Sequence, residues 1–517
     1  MRNSKNIVSH TERWFFYIVV CAHVWPLLNV QFFPTLDGPA HVYNSRIIAD
    51  FIFNSGGNFE SVFELNPFPI PNLSGHVFMA LLQGLFPAWV AEKIFQIAII
   101  ALIPFGFRFW LKSAGAKSLV ASYFIFPVTY SFFFFYGFYN FCFSLAVLFF
   151  ALGAMERYHG SSPKLWPPGL VFILGLILYF SHLLTFAVFC IYMAVRTMAT
   201  FRKPGAAISQ RRYAFLLFAL SLFPGLLLTA IFLLNQDVAA GQLAFSPLAD
   251  TANMYRVITP AKGILYGKED KYTQWIFYSL VFMILSWVYH SIRSKYRIDQ
   301  RAGIPGLLFA AFFILSFVLP DQGLLSGGIL TSRIVLFAIV FLIAFLAMIP
   351  INRFAGMALL VVISYVNIAC LLIYVDATER EQAIVSQIST AAGDLQSGAV
   401  VMPLNQSDFW IREHYSNYLG YQKPVVVLEN YEADLDYFFL NWTENGVNAK
   451  RAAYADWEKF TVSGIPERQP NNSATHIFLL GNSDTELKGS QHIEHPNIEV
   501  VRADTALGVG LYKWLKN

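Results

Sequence analysis

A carboxylate, a proline and a histidine stand together in the stretch PTLDGPAHVYNS, residues 34–45, directly after the first long apolar run of the chain. Asp37, held there at a membrane surface, can take the proton from a hydroxyl acceptor while a lipid-phosphate donor approaches from the bilayer side. One carboxylate suffices for inverting transfer from a sugar phosphate, because the phosphate is already a competent leaving group. His41, one helical turn on, can pair with that carboxylate and tune it, or face the headgroups. The same residues also suit a structural role. Asp is favoured as a helix N-cap, and Gly38 with Pro39 fits a first turn. Cap and base are compatible assignments, so the residues alone leave both open.

Further polar residues stand at the ends of apolar stretches, where ionisable groups are costly and functional by default. Ser181-His182 interrupts a long apolar stretch, and His182 can hold a phosphate oxygen or serve as a turn residue between two short helices. Arg333 closes LPDQGLLSGGILTSR. Its planar guanidinium suits a lipid phosphate, with Gly327-Gly328 allowing close backbone approach, or it is an interfacial anchor that snorkels to water. Arg46 is a weaker phosphate candidate, because Asp50 stands one helical turn away. His76, at the start of GHVFMALLQGLFPAW, is weaker again as a site residue. Asp237, Asp250, Arg256, Lys262 and Glu269 fall in a long loop that either covers a site or is simply solvated.

The elements that must position these groups are membrane helices. Of 517 residues, 56% are hydrophobic and 13% charged, far from the balance of a soluble globular chain. The basic segment MRNSKNIVSHTER precedes an apolar run too long and too aromatic for a cleaved signal, which predicts a first transmembrane helix starting in the cytoplasm. Further spans are expected near 93–111, 118–136, 139–156, 167–181, 183–199, 213–234, 275–292, 304–320, 333–350 and 356–375. The basic connections share one side only if residues 75–89 lie in the interface or re-enter. That parity gives about eleven crossings, with the loop 34–92 and everything after 375 outside. The helix after Asp37 is expected to lie on the membrane surface, with Asn44, Ser45 and the Arg46/Asp50 pair on its wetter side. Aromatic runs such as SFFFFYGFYNF are accounted for by lipid-facing surface and interfacial belts.

After residue 375 the composition becomes that of a soluble domain. GAVVMPL, KPVVVLEN and THIFLLGN read as buried strands, and ATEREQAIVSQISTAAGDL as helix, which predicts a small α/β domain over 376–517. It shows no glycine-rich phosphate loop and no catalytic motif, and a lid or docking role suits it. The four cysteines all lie in apolar runs, unpaired and unclustered. No P-loop, haem motif or nucleic-acid patch is visible. Sequons stand at Asn72, Asn405, Asn441 and Asn471.

The pattern resembles the GT-C superfamily of integral membrane glycosyltransferases. FFPTLDGPAHVYNS carries Asp37 at the position of that family's first-loop acidic residue. PNLSGHVFMALLQGLFPAWVAEKIFQIAII resembles the short helix and apolar helix that follow the loop, and GLVFILGLILYFSHLLTFAVF resembles the paired short helices broken by a basic or histidine residue. The sequence departs from the family where a second nearby acidic residue is common, since the next carboxylates are Asp50, Glu60 and Glu64.

The resemblance implies a polytopic α-helical membrane protein. Its GT-C-like bundle would occupy residues 1–375, with interfacial helices in the first external loop and the α/β domain 376–517 extracytoplasmic. It implies transfer of a sugar, with inversion, from a polyprenyl-phosphate donor to a glycan, lipid or protein acceptor. Asp37 and His41 would be catalytic, and Arg333, His182 and Arg46 would contact donor phosphate. No cofactor is expected, a divalent metal stays possible without a ligand set to support it, and the partners are the donor, the acceptor and membrane lipids, without nucleic acid. A bacterial inner membrane is the expected location. A transporter or flippase of a lipid-linked or small polar substrate is the non-enzymatic alternative, and a ligase or polymerase of lipid-linked glycans the other enzymatic one.

Overall fold

The computed structural model describes residues 2–53, 56, 59–159, 166–202, 205–235, 243–256, 268–294, 300–322, 329–454, 474–481, 498–504 and 506–515. Gly327-Gly328, Asp237, Lys262 and the sequon at Asn471 lie outside them. The chain divides into two compact units: a helical one formed by 1–26, 98–134 and 140–375, and a mixed one formed by 27–97, 135–139 and 376–517.

Apolar helices dominate the helical unit because runs of Leu, Phe, Ile and Ala satisfy their own backbone and leave no polar group for lipid to solvate. Across the described residues six helices are long and apolar enough to cross a membrane: Ala88–Ala114, Tyr139–Arg157, Leu183–Arg202, Ile208–Leu234, Leu330–Ala347 and Arg353–Asp394. That is compatible with a membrane protein and falls short of the eleven spans expected. The expected span 118–136 is not one helix. A 3-10 stretch, Leu119–Ile125, gives way to two short turns, Phe126–Thr129 and Phe132–Phe135. Pro127 restarts the backbone there, since its missing N–H costs nothing in a first turn. The helix expected to end at 375 runs on without a stop signal to Asp394, 42 residues in all.

The aromatics of this unit are divided between the interior and exposed positions such as Trp14, Phe215, Phe223 and Trp275. Fully buried Trp110 stacks on Phe149 at 6.0 Å and meets Phe341 edge-on at 5.7 Å. Phe133 packs on Phe141 at 4.9 Å, so part of SFFFFYGFYNF is core and not lipid-facing surface. Two ion pairs lie within the helices: Arg108 clasps Glu12 with two bonds of 2.8 and 2.6 Å, and Arg196 meets Glu156 at 2.9 Å. The four cysteines are free.

Among the described residues the strands lie in the mixed unit: β1 (Phe63–Leu65), β2 (Val400–Asn405), β3 (Val426–Val427), β4 (Leu440–Trp442), β5 (His476–Leu480), β6 (Ile498–Asp504) and β7 (Val509–Trp514). Five of them form a sheet of order β3-β2-β5-β7-β6, parallel from β3 to β5 and antiparallel beyond. First-loop strand β1 pairs antiparallel with β4.

The first-loop helix, Gly38–Phe53, belongs to this unit and buries most of its length, including Asn44, Ser45 and Asp50. These three are therefore not a wet face. Tyr43 fixes the docking: its hydroxyl donates to the Val425 carbonyl at 2.9 Å and accepts the Val427 N–H at 3.1 Å, beside β3. Only glycine fits at 420, where a Cβ would stand 2.2 Å from the Tyr43 ring. The helix Ser74–Gln83 has ten residues, about 15 Å of rise, too short to cross a hydrocarbon core of about 30 Å.

Candidate functional site

Asp37 is placed by backbone bonds on both sides. Leu36 and Asp37 donate to the Phe135 and Tyr136 carbonyls at 3.0 and 3.2 Å, and the Asp37 carbonyl accepts the His41 N–H at 3.0 Å. The opposing turn comes this close because Gly137 has φ +82° and no side chain; a Cβ there would lie 2.6 Å from the Asp37 nitrogen. The helix N-terminus takes its side-chain acceptor from Thr35, whose hydroxyl oxygen receives the Gly38 N–H at 3.2 Å. The Asp37 carboxylate faces other partners. It adjoins Tyr431, and its Oδ1 lies 3.7 Å from His414 Nε2.

His414 is itself held from behind. Its Nδ1 meets Glu429 Oε1 at 2.7 Å, and the other Glu429 oxygen accepts from Ser416 and Asn417 at 2.7 and 2.8 Å. The imidazole stacks on Tyr431 with ring centres 4.3 Å apart. The arrangement is a buried carboxylate, an imidazole and a second, orienting carboxylate.

Burial pushes the Asp37 carboxyl up to about 7, opposed by the charges of His41 and His414 and reinforced by Glu432. Burial works against a charged His414, but the hydrogen bond and charge of Glu429, with Asp37 behind them, raise it to about 9. Near neutral pH a protonated imidazole therefore faces a carboxyl that is free to gain or lose its proton.

His41 and His76 meet Glu432 in a second buried cluster. His41 Nδ1 lies 2.6 Å from Glu432 Oε1 and His76 Nε2 2.9 Å from Oε2. Burial favours neutral His41, yet the adjoining Glu432 carboxylate outweighs it and raises the imidazole above its ordinary value. Burial likewise opposes a charged Glu432, but the two histidines win and hold it below the usual carboxylate range. Tyr431 joins the two clusters, since its hydroxyl donates to Glu432 Oε1 at 3.4 Å and the residue adjoins Asp37.

Of the residues expected from sequence, Asp37, His41 and His76 thus come together in the mixed unit. Arg46, in the same unit, lines a different cavity of about 510 Å³ with Gln31, Gln83, Trp89, Tyr421 and Gln422. His182 and Arg333 belong to the helical unit, where both lie on the Phe141 ring, at 5.0 and 5.5 Å from its centre. As for a second carboxylate near Asp37, Glu60 and Glu64 are exposed.

Sequence reasoning missed Glu92, which is buried under the Tyr139 and Tyr418 hydroxyls at 3.0 and 3.3 Å. It also missed His414, Glu429, Tyr431 and Glu432, all from the segment read as lacking catalytic residues. The density of Tyr, Asn, Glu and His in HYSNYLGY and LENYEADLDY is the one signal that could have flagged them.

The class defined so far is a largely helical protein, compatible with membrane insertion, carrying a small C-terminal sheet and a buried carboxylate–histidine site. Compared with known proteins, the chain matches no family model and no curated protein.

Proposed function

We propose that this protein is an inverting membrane glycosyltransferase of GT-C type, using a polyprenyl-phosphate-linked sugar on the extracytoplasmic side. In this reading the N-terminus is cytoplasmic, the first loop and the segment after 375 are outside, and the location is a bacterial inner membrane. The observation that carries it is the Asp37 carboxylate, buried directly after the first apolar helix between Tyr431 and His414. A carboxylate so enclosed is a stronger base than one in water, and its conjugate acid titrates near the working pH of a general base.

The chemistry balances with the chain's own groups. Asp37 accepts the proton of an acceptor hydroxyl on a glycan, lipid or protein. The hydroxyl oxygen forms a bond to the anomeric carbon from the face opposite the phosphate, and the carbon–oxygen bond to the phosphate breaks with its electron pair. Tyr431 and His414 hold the carboxylate in place. Arg333, and in second rank Arg46, are assigned to lipid phosphate because of their guanidinium charge, and His182 because its ring can hydrogen-bond a phosphate oxygen.

The test is transfer of radiolabelled sugar from a panel of polyprenyl-phosphate sugars by the purified protein, with host membrane lipid extract as acceptor. Asp37→Asn keeps the shape and removes the base, and should lower transfer by about 10²–10⁴-fold, the usual contribution of a positioned base. Equal transfer by both proteins sinks the role of Asp37. No transfer across the panel sinks the glycosyltransferase reading.

A further inference from the structure

The transfer chemistry above makes no use of His76 and Glu432, and it leaves the inward nitrogen of His41 unexplained. His41 Nε2 lies 2.9 Å from the Gly137 carbonyl and His76 Nδ1 lies 3.2 Å from the Asn72 carbonyl. A carbonyl only accepts, so both nitrogens carry the ring proton and donate. Each ring then presents its other nitrogen inward, His41 Nδ1 and His76 Nε2, only 3.0 Å apart. The Glu432 oxygens close the third side. Two lone pairs and a carboxylate at such distances repel unless a positive charge lies among them.

That charge is a proton or a metal ion, and the surroundings favour a metal. All three residues are buried, and their donor atoms lie within 4.8 Å of one another. Two imidazoles and one carboxylate form a ligand set typical of zinc with one position left open. An outer ring N–H held by a backbone carbonyl is how ligating histidines are oriented. Glu432 is steadied too, by Asn44, which is in turn bonded to Asn430. Nitrogen ligands at about 2.0–2.1 Å from an ion need only move apart by a few tenths of an ångström from their present positions.

We infer that His41, His76 and Glu432 bind one divalent first-row transition metal ion of zinc type, with an open coordination position for water or a substrate oxygen. Magnesium and calcium are disfavoured by the two nitrogen donors. The ion ties the first-loop helix and the helix Ser74–Gln83 to a residue 356 positions beyond His76. Through the hydrogen bond that Glu432 accepts from Tyr431 it also steadies a side chain beside Asp37.

The experiment uses the full-length protein in detergent, stripped with a chelator and reloaded with Co2+, whose visible bands report coordination. One equivalent per chain is expected, displaced by Zn2+, with affinity lowered at least about 100-fold in His76→Gln and Glu432→Gln. Because removing a buried partner can unfold the site, His76→Cys is the second variant. A thiolate ligand adds a sulfur-to-cobalt charge-transfer band that a misfolded chain does not produce. That band, or loss of the ion from a chain whose wild type holds it, supports the assignment. Wild-type protein that takes up no stoichiometric ion overturns it, as does a Co2+ spectrum unchanged by His76→Cys. These readouts do not depend on sugar transfer. A protein without bound ion whose transfer still requires Asp37 would lose this inference and keep the proposed function.

Discussion

In the helical unit Glu12 and Glu156 face arginines, whereas in the mixed unit Asp37, Glu92, Glu429 and Glu432 face histidines and tyrosines. Glu12 and Glu156 are held by Arg108 and Arg196. Asp37, Glu429 and Glu432 are held by His414, Tyr431, His41 and His76. A guanidinium keeps its charge at any working pH, so its pair is a fixed support within apolar helices. Imidazole, phenol and carboxyl exchange protons, so their cluster can do chemistry and its charge is conditional. The contrast assigns support to one kind of pair and function to the other.

Arginine meets carboxylates in the mixed unit too, and Arg412 with Glu381 is the buried case, at 2.8 and 2.9 Å with Glu381 buried. If the partner decides the role, this pair is structural wherever it stands. Arg412→Leu leaves Glu381 buried and uncompensated, and should cost about 3–5 kcal/mol of stability, measured by thermal or denaturant unfolding in detergent. Adding Glu381→Leu should restore much of that loss. A stable Arg412→Leu protein with altered pH dependence of transfer would place the pair with the functional cluster and remove the distinction.

The pH dependence sharpens the other half. As a base Asp37 must be ionised, so transfer should rise as pH climbs through about 7, the value to which burial raises its carboxyl. His414 holds its proton until about 9, and its positive charge lowers the Asp37 value. Replacing it by neutral glutamine removes that charge, so the acid limb of His414→Gln should move to higher pH, by on the order of one pH unit. A limb that stays in place, or moves down, separates His414 from Asp37.

Local sequence carries only half of this site. PTLDGPAH and the histidine of PNLSGH are legible because helix start signals and an apolar-to-polar switch lie within a few residues of one another. Their partners are not, because His76 and Glu432 are 356 residues apart and no periodicity links them. The fold is legible in the same proportion. Strands β2, β3 and β5 fall within the apolar runs that suggested them, since short Val-rich runs bounded by turns leave few alternatives. The span at 118–136 fails because hydropathy does not register the restart at Pro127. The wet face expected on the first-loop helix is misread because Asn44 and Asp50 look solvent-facing until their distant surroundings are known.

The smallest expected effect lies one residue from the largest. Arg380 and Glu381 are neighbours on the same helix, and each makes an ion pair, but Arg380 and its partner Asp376 have 58% and 61% of their side chains exposed. Water already solvates both charges, and salt screens what attraction is left. Arg380→Ala should therefore cost no more than about 0.3–0.5 kcal/mol, a shift in unfolding midpoint that disappears at high salt. Arg412→Leu, acting on the adjacent position of the same helix, should keep its cost in salt because Glu381 has no route to water. If the two costs are alike, burial does not set the energy of these pairs, and the contrast between fixed and conditional charge would have to rest on proton exchange alone.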